Sequence, residues 1–220
     1  MNTDLSARIP QDIKDFIIDI QEQVKGQFAV YLAGGFLRDL DNGLTPKDVD
    51  IFFTPCNDTK QDLGYIPARC YVNYNKKVSS FTHTDDMEQR GVSQVVGLFN
   101  SKLSTTEIQF IVYDKCLTME AIAEDLDMGI NQIIWSPILD RVIPTEGYLN
   151  DHSNKTITCL HDYDEVRAFR RFERMLEKFQ DYTPINMPSK EVLPLSERIQ
   201  RMTGSYVRPT SVGSFVGGEE

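Results

Sequence analysis

Asp48 and Asp50 stand two residues apart at the head of an apolar, β-rich run, Asp48-Val49-Asp50-Ile51-Phe52-Phe53. In an extended strand such residues project to the same side, so the two carboxylates can present oxygen ligands to one place. Hard divalent cations take ligands of this kind, and Mg2+ typically uses one or two carboxylates plus substrate phosphates. Just upstream lies Gly34-Gly35-Phe36-Leu37-Arg38-Asp39. A glycine pair lets backbone N–H groups approach a triphosphate without Cβ obstruction, and a helix that follows offers its positive end. Arg38, one turn in, can add charge to the same phosphates. These are the parts of an in-line nucleotidyl transfer, in which two metal ions activate the attacking oxygen and neutralise the leaving pyrophosphate.

A solitary D-x-D is more often an exposed strand end than a metal site, and a solitary Gly-Gly is usually just a turn. The weight falls on their combination and order, and the surrounding pattern supplies it. Phe28 to Ala33 is a short apolar run that reads as a strand, the glycine pair turns it, Phe36 to Leu40 starts a short helix, and Asn42-Gly43 and Pro46 punctuate the turn before the acidic strand. Ahead of this unit, Ile13, Phe16, Ile17, Ile20 and Val24 fall at helical spacing over residues 11–24.

Further along, a helix is expected over 57–63 and a weak strand near 69–74. Val92–Phe99 and Glu107–Tyr113 are β-rich runs separated by a polar stretch, which suits an antiparallel hairpin. Residues 117–126 read as helical, 129–135 as a short helix or turn, and 138–144 as a small peripheral hairpin. From 162 to 179 the pattern is strongly helical, with Val166, Phe169, Phe172, Met175, Leu176 and Phe179 as an apolar stripe beside Arg167, Arg170, Arg171, Arg174 and Lys178. A last helix is expected over 195–202.

The segment Val30-Tyr-Leu-Ala-Gly-Gly-Phe-Leu-Arg-Asp-Leu through Pro46-Lys-Asp-Val-Asp-Ile-Phe resembles the signature of class II CCA-adding enzymes and bacterial poly(A) polymerases, members of the polymerase-β nucleotidyltransferase superfamily. Asp127-Met-Gly-Ile-Asn131-Gln-Ile is similar to that family's second motif, and Val166-Arg-Ala-Phe-Arg170 to the start of its neck helix. The resemblance covers about residues 10–180. It implies an α/β (α+β) fold: a polymerase-β-like head with a mixed β-sheet flanked by helices, followed by a short helical neck. The organisation expected is a head over 1–150, a neck-like segment over 151–204 and a flexible tail over 205–220.

The resemblance further implies that Asp48 and Asp50 ligate Mg2+ or Mn2+, that Gly34, Gly35 and Arg38 hold the triphosphate of an NTP, and that Asp127 lies near its ribose. Glu107, opening a later strand, is a candidate third carboxylate, with an edge-strand charge facing water as the equal alternative. Arg167 and Arg170 either touch nucleotide or RNA phosphates or belong to a solvated helix face paired with Glu165, Glu173 and Glu177. Asn131 reads as structural, satisfying backbone groups of a turn. Trp135 reads as packing, and His83, His152 and His161 show no ligand spacing.

The chain also departs from the family. Two arginines normally precede the second motif's aspartate, and Asp125 and Leu126 stand there instead. Most of the helical body with which such enzymes grip tRNA is expected to be missing. The net charge is −10, so no basic surface covers the protein as a whole, as gripping a long polynucleotide would require.

The leading expectation is an enzyme that transfers NMP from an NTP to an RNA or tRNA-like 3′ end. Transfer to a protein or small-molecule hydroxyl, in a toxin-antitoxin or phage-encoded setting, is the second. A binding or inhibitory module that has lost catalysis is the third. Cys56, Cys70, Cys116 and Cys159 form no C-x-x-C pair and read as reduced thiols. No run approaches a membrane span, and the polar, acidic start of the chain is unlike a signal peptide, so a cytoplasmic protein without a membrane partner is expected.

Overall fold

The computed structural model describes residues 5–57, 77–82, 91–99, 107–161 and 165–187. Among them a short helix α1 (Leu5–Arg8) and α2 (Gln11–Gln23) precede β1 (Phe28–Ala33), α3 (Gly35–Asp41) and β2 (Asp48–Pro55). Then come β3 (Lys77–Thr82), β4 (Val92–Phe99), β5 (Glu107–Tyr113), α4 (Met119–Glu124), a 3-10 turn at Gly129–Asn131, β6 (Ile133–Ser136) and β7 (Arg141–Pro144). The chain continues through α5 (Glu146–Asn154), β8 (Thr156–Thr158), α6 (Glu165–Lys178) and β9 (Thr183–Ile185). Strands β1 to β7 form one mixed sheet in the order β3-β4-β5-β2-β1-β6-β7. Its centre carries the candidate chemistry: β2 pairs antiparallel with β1 and parallel with β5.

Alternation along these strands sorts the two faces of the sheet. Val30 and Leu32 of β1, Val49, Ile51 and Phe53 of β2, and Ile108, Phe110 and Val112 of β5 join Ile13, Phe16, Ile17 and Ile20 of α2 and Phe36 and Leu37 of α3 in the principal core. The opposite face buries Ala33, Phe52, Tyr113 and Ile134 against Met119, Ile122 and Ala123 of α4 and against Leu126. A third cluster seats Phe172 and Met175 of α6, with Phe179 just past its end, on Met128, Ile130 and Ile157.

Several expectations shift in detail. The region 129–135 divides into the 3-10 turn and the fully buried β6, whose apolar residues lie between β1 and β7. The hairpin at 138–144 is therefore β6–β7, an edge of the main sheet rather than a peripheral element. The neck-like segment is not all helix, because β8 and β9 form a small parallel sheet that brackets α6. Helix α5 runs across residue 150. The helix expected over 57–63 lies, all but Asn57, outside the described residues, as do the helix over 195–202, the strand near 69–74 and the tail. Among the described residues no helix is long and apolar enough to cross a membrane.

Two carboxylates fix elements that hydrophobic burial alone leaves loose. Asp151, 1% exposed, accepts hydrogen bonds from Thr156 Oγ1 (2.7 Å), Thr158 Oγ1 (2.6 Å) and Thr158 N (2.9 Å), so β8 is tied to the end of α5. Asp140 closes the β6–β7 turn at φ 42°, in the left-handed region, and accepts from Lys14 Nζ (2.8 Å), Ser6 Oγ and Trp135 Nε1 (3.1 Å). The hydrogen bonds from Lys14 and Ser6 hold its carboxyl down at about 2.

A carboxyl lowered in the folded state stabilises above its unfolded pKa, and the contribution is lost as pH falls through the folded value. Asn tolerates the left-handed backbone, so Asp140→Asn isolates the charge. The Asp140 side chain is 64% exposed, which places the effect with surface ion pairs. We expect Asp140→Asn to lower Tm by about 1–4 °C at pH 7. The gap should close between about pH 4 and pH 2, and a pH-independent gap in thermal melts would contradict this assignment.

Candidate active site at the head of the central strands

β1 ends where β2 begins. Their register runs from Phe28 opposite Pro55 to Leu32 opposite Ile51, so the bend at Gly34 leaves β1 at the end of the sheet where Asp48 and Asp50 open β2. Along β2 the first four residues alternate half-buried and buried, with Asp48 and Asp50 half-buried around the fully buried Val49 and Ile51. The two aspartates thus share the face of Phe52 and emerge where the layer built on α4 runs out. Glu107 occupies the register position beside Asp48 on β5. The sheet therefore gathers the glycine bend, the D-x-D pair and the Glu107 position at one end.

Among the described residues no group of three or more His, Cys, Asp or Glu forms a closed metal cage. A pair of half-buried carboxylates is the donor set that suits Mg2+, which keeps several positions for water and phosphate. The residues present fit the ion.

The bend itself needs glycine. Gly34 lies at φ 80°, ψ −136°, a conformation close to glycine's own, while its N–H donates to Ile133 O (2.9 Å) and its carbonyl accepts from Arg38 N (3.1 Å). A Cβ there would meet Leu126 Cδ1 at 3.7 Å, an ordinary contact, so the constraint is the backbone and not space. At Gly35 the order is reversed: φ is ordinary, and a Cβ would stand 3.3 Å from Arg38 Nη2. We expect Gly34→Ala to cost about 1–3 kcal/mol. Gly35→Ala should cost less. Chemical denaturation of the two variants checks the ranking, and equal losses would remove the special role of the bend.

Arg38 is buried, 7% exposed, beneath that bend. Its Nε and Nη2 donate to Asp39 Oδ1 at 2.8 and 2.7 Å, and its Nη1 donates to Asn131 Oδ1 and approaches Met175 Sδ at 3.2 Å. The guanidinium also lies 5.6 Å from the centre of the Phe179 ring. The cation expected to reach toward phosphate is thus clasped by protein groups, with its charge fixed directly behind Gly35.

The network continues on both sides. Lys178 Nζ donates to Asp39 Oδ2, and on the other side Asn131 Nδ2 reaches Asp127 Oδ1 (3.5 Å) while Arg171 Nη1 sits 3.0 Å from Asp127 Oδ2. Asn131 therefore serves side chains, Arg38 and Asp127, rather than the backbone of its turn. Asp127 is 8% exposed, and its carboxylate faces α6. Arg171 and Lys178 turn inward to acids of the head, whereas Arg170 and Arg174 are exposed. Arg167 lies in the first turn of α6.

The two positions before Asp127 also have defined places. Asp125 Oδ2 accepts from Tyr113 OH (2.8 Å), and Leu126 packs in the second core cluster beside the glycine bend. Motif spacing gives Asp39 no task and puts Lys178 on a basic face. Both are central to the network. The signal in the chain is an Asp next to the motif arginine together with a helix whose cations outnumber the carboxylates beside them.

Residues 7–155 match the family described as Gad2, Gabija anti-defense 2 family protein. Among solved structures, the chain is similar to the Thermotoga maritima CCA-adding enzyme complexed with tRNA, at TM-score 0.58 and 19% identity over 90% of this chain and 43% of that one. It is also similar to a tRNA-processing enzyme in an apo form, at TM-score 0.57 and 18% identity over 89% of this chain and 48% of that one. A tRNA nucleotidyltransferase complexed with primer tRNA and an ATP analogue gives TM-score 0.54 and 18% identity over 78% and 47%. The fold is that of a nucleotidyltransferase head, and the chain spans less than half the length of these structures. No curated protein sequence matches it.

Proposed function

We propose, from the premise that this chain belongs to the Gabija anti-defense 2 family, that it is a metal-dependent nucleotidyltransferase. In this reading it transfers NMP from an NTP to a hydroxyl acceptor and releases pyrophosphate. The observation that carries the reading is the pairing of half-buried Asp48 and Asp50 on one face of β2, at the sheet end where the Gly34 bend leaves β1. Asp48 and Asp50 would hold Mg2+ or Mn2+, with Glu107 as the third candidate acid. When bound, such an ion neutralises phosphate charge and lowers the pKa of an attacking hydroxyl. The protein's own contribution is positional. The bend at Gly34 and Gly35 receives the triphosphate at the foot of the acidic strand, and the fixed charge of Arg38 behind it favours the anion. Asp127, Arg167 and Arg170 border the nucleotide from the α6 side.

An RNA 3′ end is the acceptor favoured by likeness to the tRNA-bound structures. Two observations favour a hydroxyl on a protein of the defence instead. The family is named for acting against Gabija, and the chain carries a net charge of −10, with Arg171 and Lys178 of its basic helix committed to Asp127 and Asp39. Protein nucleotidylation is therefore the acceptor chemistry we put first. Incubation with Mg2+ and each α-labelled NTP, alongside total RNA or purified Gabija proteins, separates the two. Label on protein that disappears in an Asp48→Asn control supports the first, label on RNA the second, and no metal-dependent transfer to either would leave a binding module.

A further inference from the structure

At the end of the sheet away from the glycine bend, the β6–β7 turn carries Ile138 and Leu139 into solvent at 70% and 62% exposure. The direction follows from register: Ile134 pairs with Ala33 and Trp135 with Leu32, so Ser136 and the turn beyond it step away from Gly34. Ile138 and Pro137 line a groove of roughly 340 Å3 with Ile18, Gln21, Glu22 and Lys25 of the α2 side, and Ile18 is itself 41% exposed. Apolar residues at a loose turn are commonplace. This turn is not loose: Asp140 is pinned by Lys14, Ser6 and Trp135, and Leu139 N donates to Ser136 Oγ at 3.3 Å. The exposed pair is held in place before any partner arrives, which lowers the cost of ordering on binding.

Charge selects the occupant. Asp12, Asp15 and Asp19 are exposed on α2, spaced so that they run as a stripe along the helix beside Ile18, and Glu22 continues the stripe but is paired with Lys25. The neighbouring cations are already engaged, Lys14 with Asp140 and Lys25 with Glu22. A phosphate backbone is repelled by such a rim. A second copy docking about a twofold axis would bring two acidic stripes together. We infer that the groove docks a protein partner that presents an apolar side chain flanked by lysine or arginine. This goes beyond nucleotidyl transfer and is independent of it, because binding here requires no chemistry at Asp48.

The test uses the full chain and purified Gabija proteins as the probe, with affinity read by calorimetry at low and high salt. Wild type and Asp48→Asn should bind alike, and affinity should fall as salt rises. Ile138→Asp should weaken binding by about tenfold or more. The paired reversal Asp15→Lys with Asp19→Lys should weaken it and flatten the salt dependence. Both sets alter exposed positions, so melting temperature should stay at wild-type level, as should nucleotidyl transfer to an acceptor other than the docked protein. Unchanged affinity in the groove variants overturns the inference, as does absence of binding by the wild-type chain. Groove variants that abolish self-association, or RNA binding that the charge reversal strengthens, overturn it in favour of a second copy or of nucleic acid.

Discussion

Asp48→Asn and Asp50→Asn are each expected to lower metal-dependent nucleotidyl transfer by on the order of 10³-fold or more, equivalent to about 4 kcal/mol of barrier. The change is isosteric and would remove one of the two anionic ligands proposed on β2. Stability should change little. Both aspartates are half-buried at the head of β2, and the isosteric amides keep their packing. The expected signature is a collapse in kcat with Tm within about 2 °C of wild type. Initial rates across a Mg2+ and Mn2+ titration, paired with thermal melts, read both. A variant that keeps a tenth of the wild-type rate, or loses rate only in proportion to lost folded protein, would take the metal away from these residues.

The unit that carries this expectation is readable in the chain because it is local. Phe28–Ala33, the glycine bend, α3 and β2 follow one another with short turns, and the alternation of Val49 and Ile51 with Asp48 and Asp50 is plain from residue types alone. The β4–β5 hairpin is readable for the same reason, each strand being β-rich and the two adjacent in sequence. What alternation does not give is the partner of each strand. The β6–β7 hairpin becomes a sheet edge because Trp135 and Ile134 pair with β1 about a hundred residues earlier, and three-residue strands such as β8 and β9 leave too little periodicity to detect.

The side-chain network is illegible in the sequence for a related reason. Spacing along α6 shows that Arg171 and Lys178 share a helix face, two turns apart, but not what that face meets. The answer lies in Asp127 and in Asp39, the latter 139 residues away from its lysine. Hydrophobic burial decides the docking: Phe172, Met175 and Phe179 must cover Met128 and Ile130, and that orientation turns both cations toward the head. A basic helix in a chain that resembles RNA enzymes invites a nucleic-acid reading. The folded chain spends part of that charge on holding its own helix in place.

That use of charge sets the second large effect, on stability. Asp39 is 2% exposed and carries two cations, Arg38 on Oδ1 and Lys178 on Oδ2. Asp39→Asn preserves shape and leaves an amide oxygen for Arg38, but it removes the anion that the 7%-exposed guanidinium and Lys178 both meet. Breaking a buried pair from one side costs about 3–5 kcal/mol, because the surviving ion stays desolvated. For a domain of this size that is a fall in Tm of roughly 6–20 °C. The double variant Arg38→Met with Asp39→Leu removes both buried ions, and Lys178, whose side chain is 30% exposed, can turn to water. Much of the loss should return in it, since apolar replacement of a whole buried pair is often neutral. The double variant should nonetheless transfer nucleotide poorly, because the charge behind Gly35 is gone. A double variant no more stable than Asp39→Asn would mean that the network acts through shape, and one with wild-type transfer would free Arg38 from any part in holding the nucleotide.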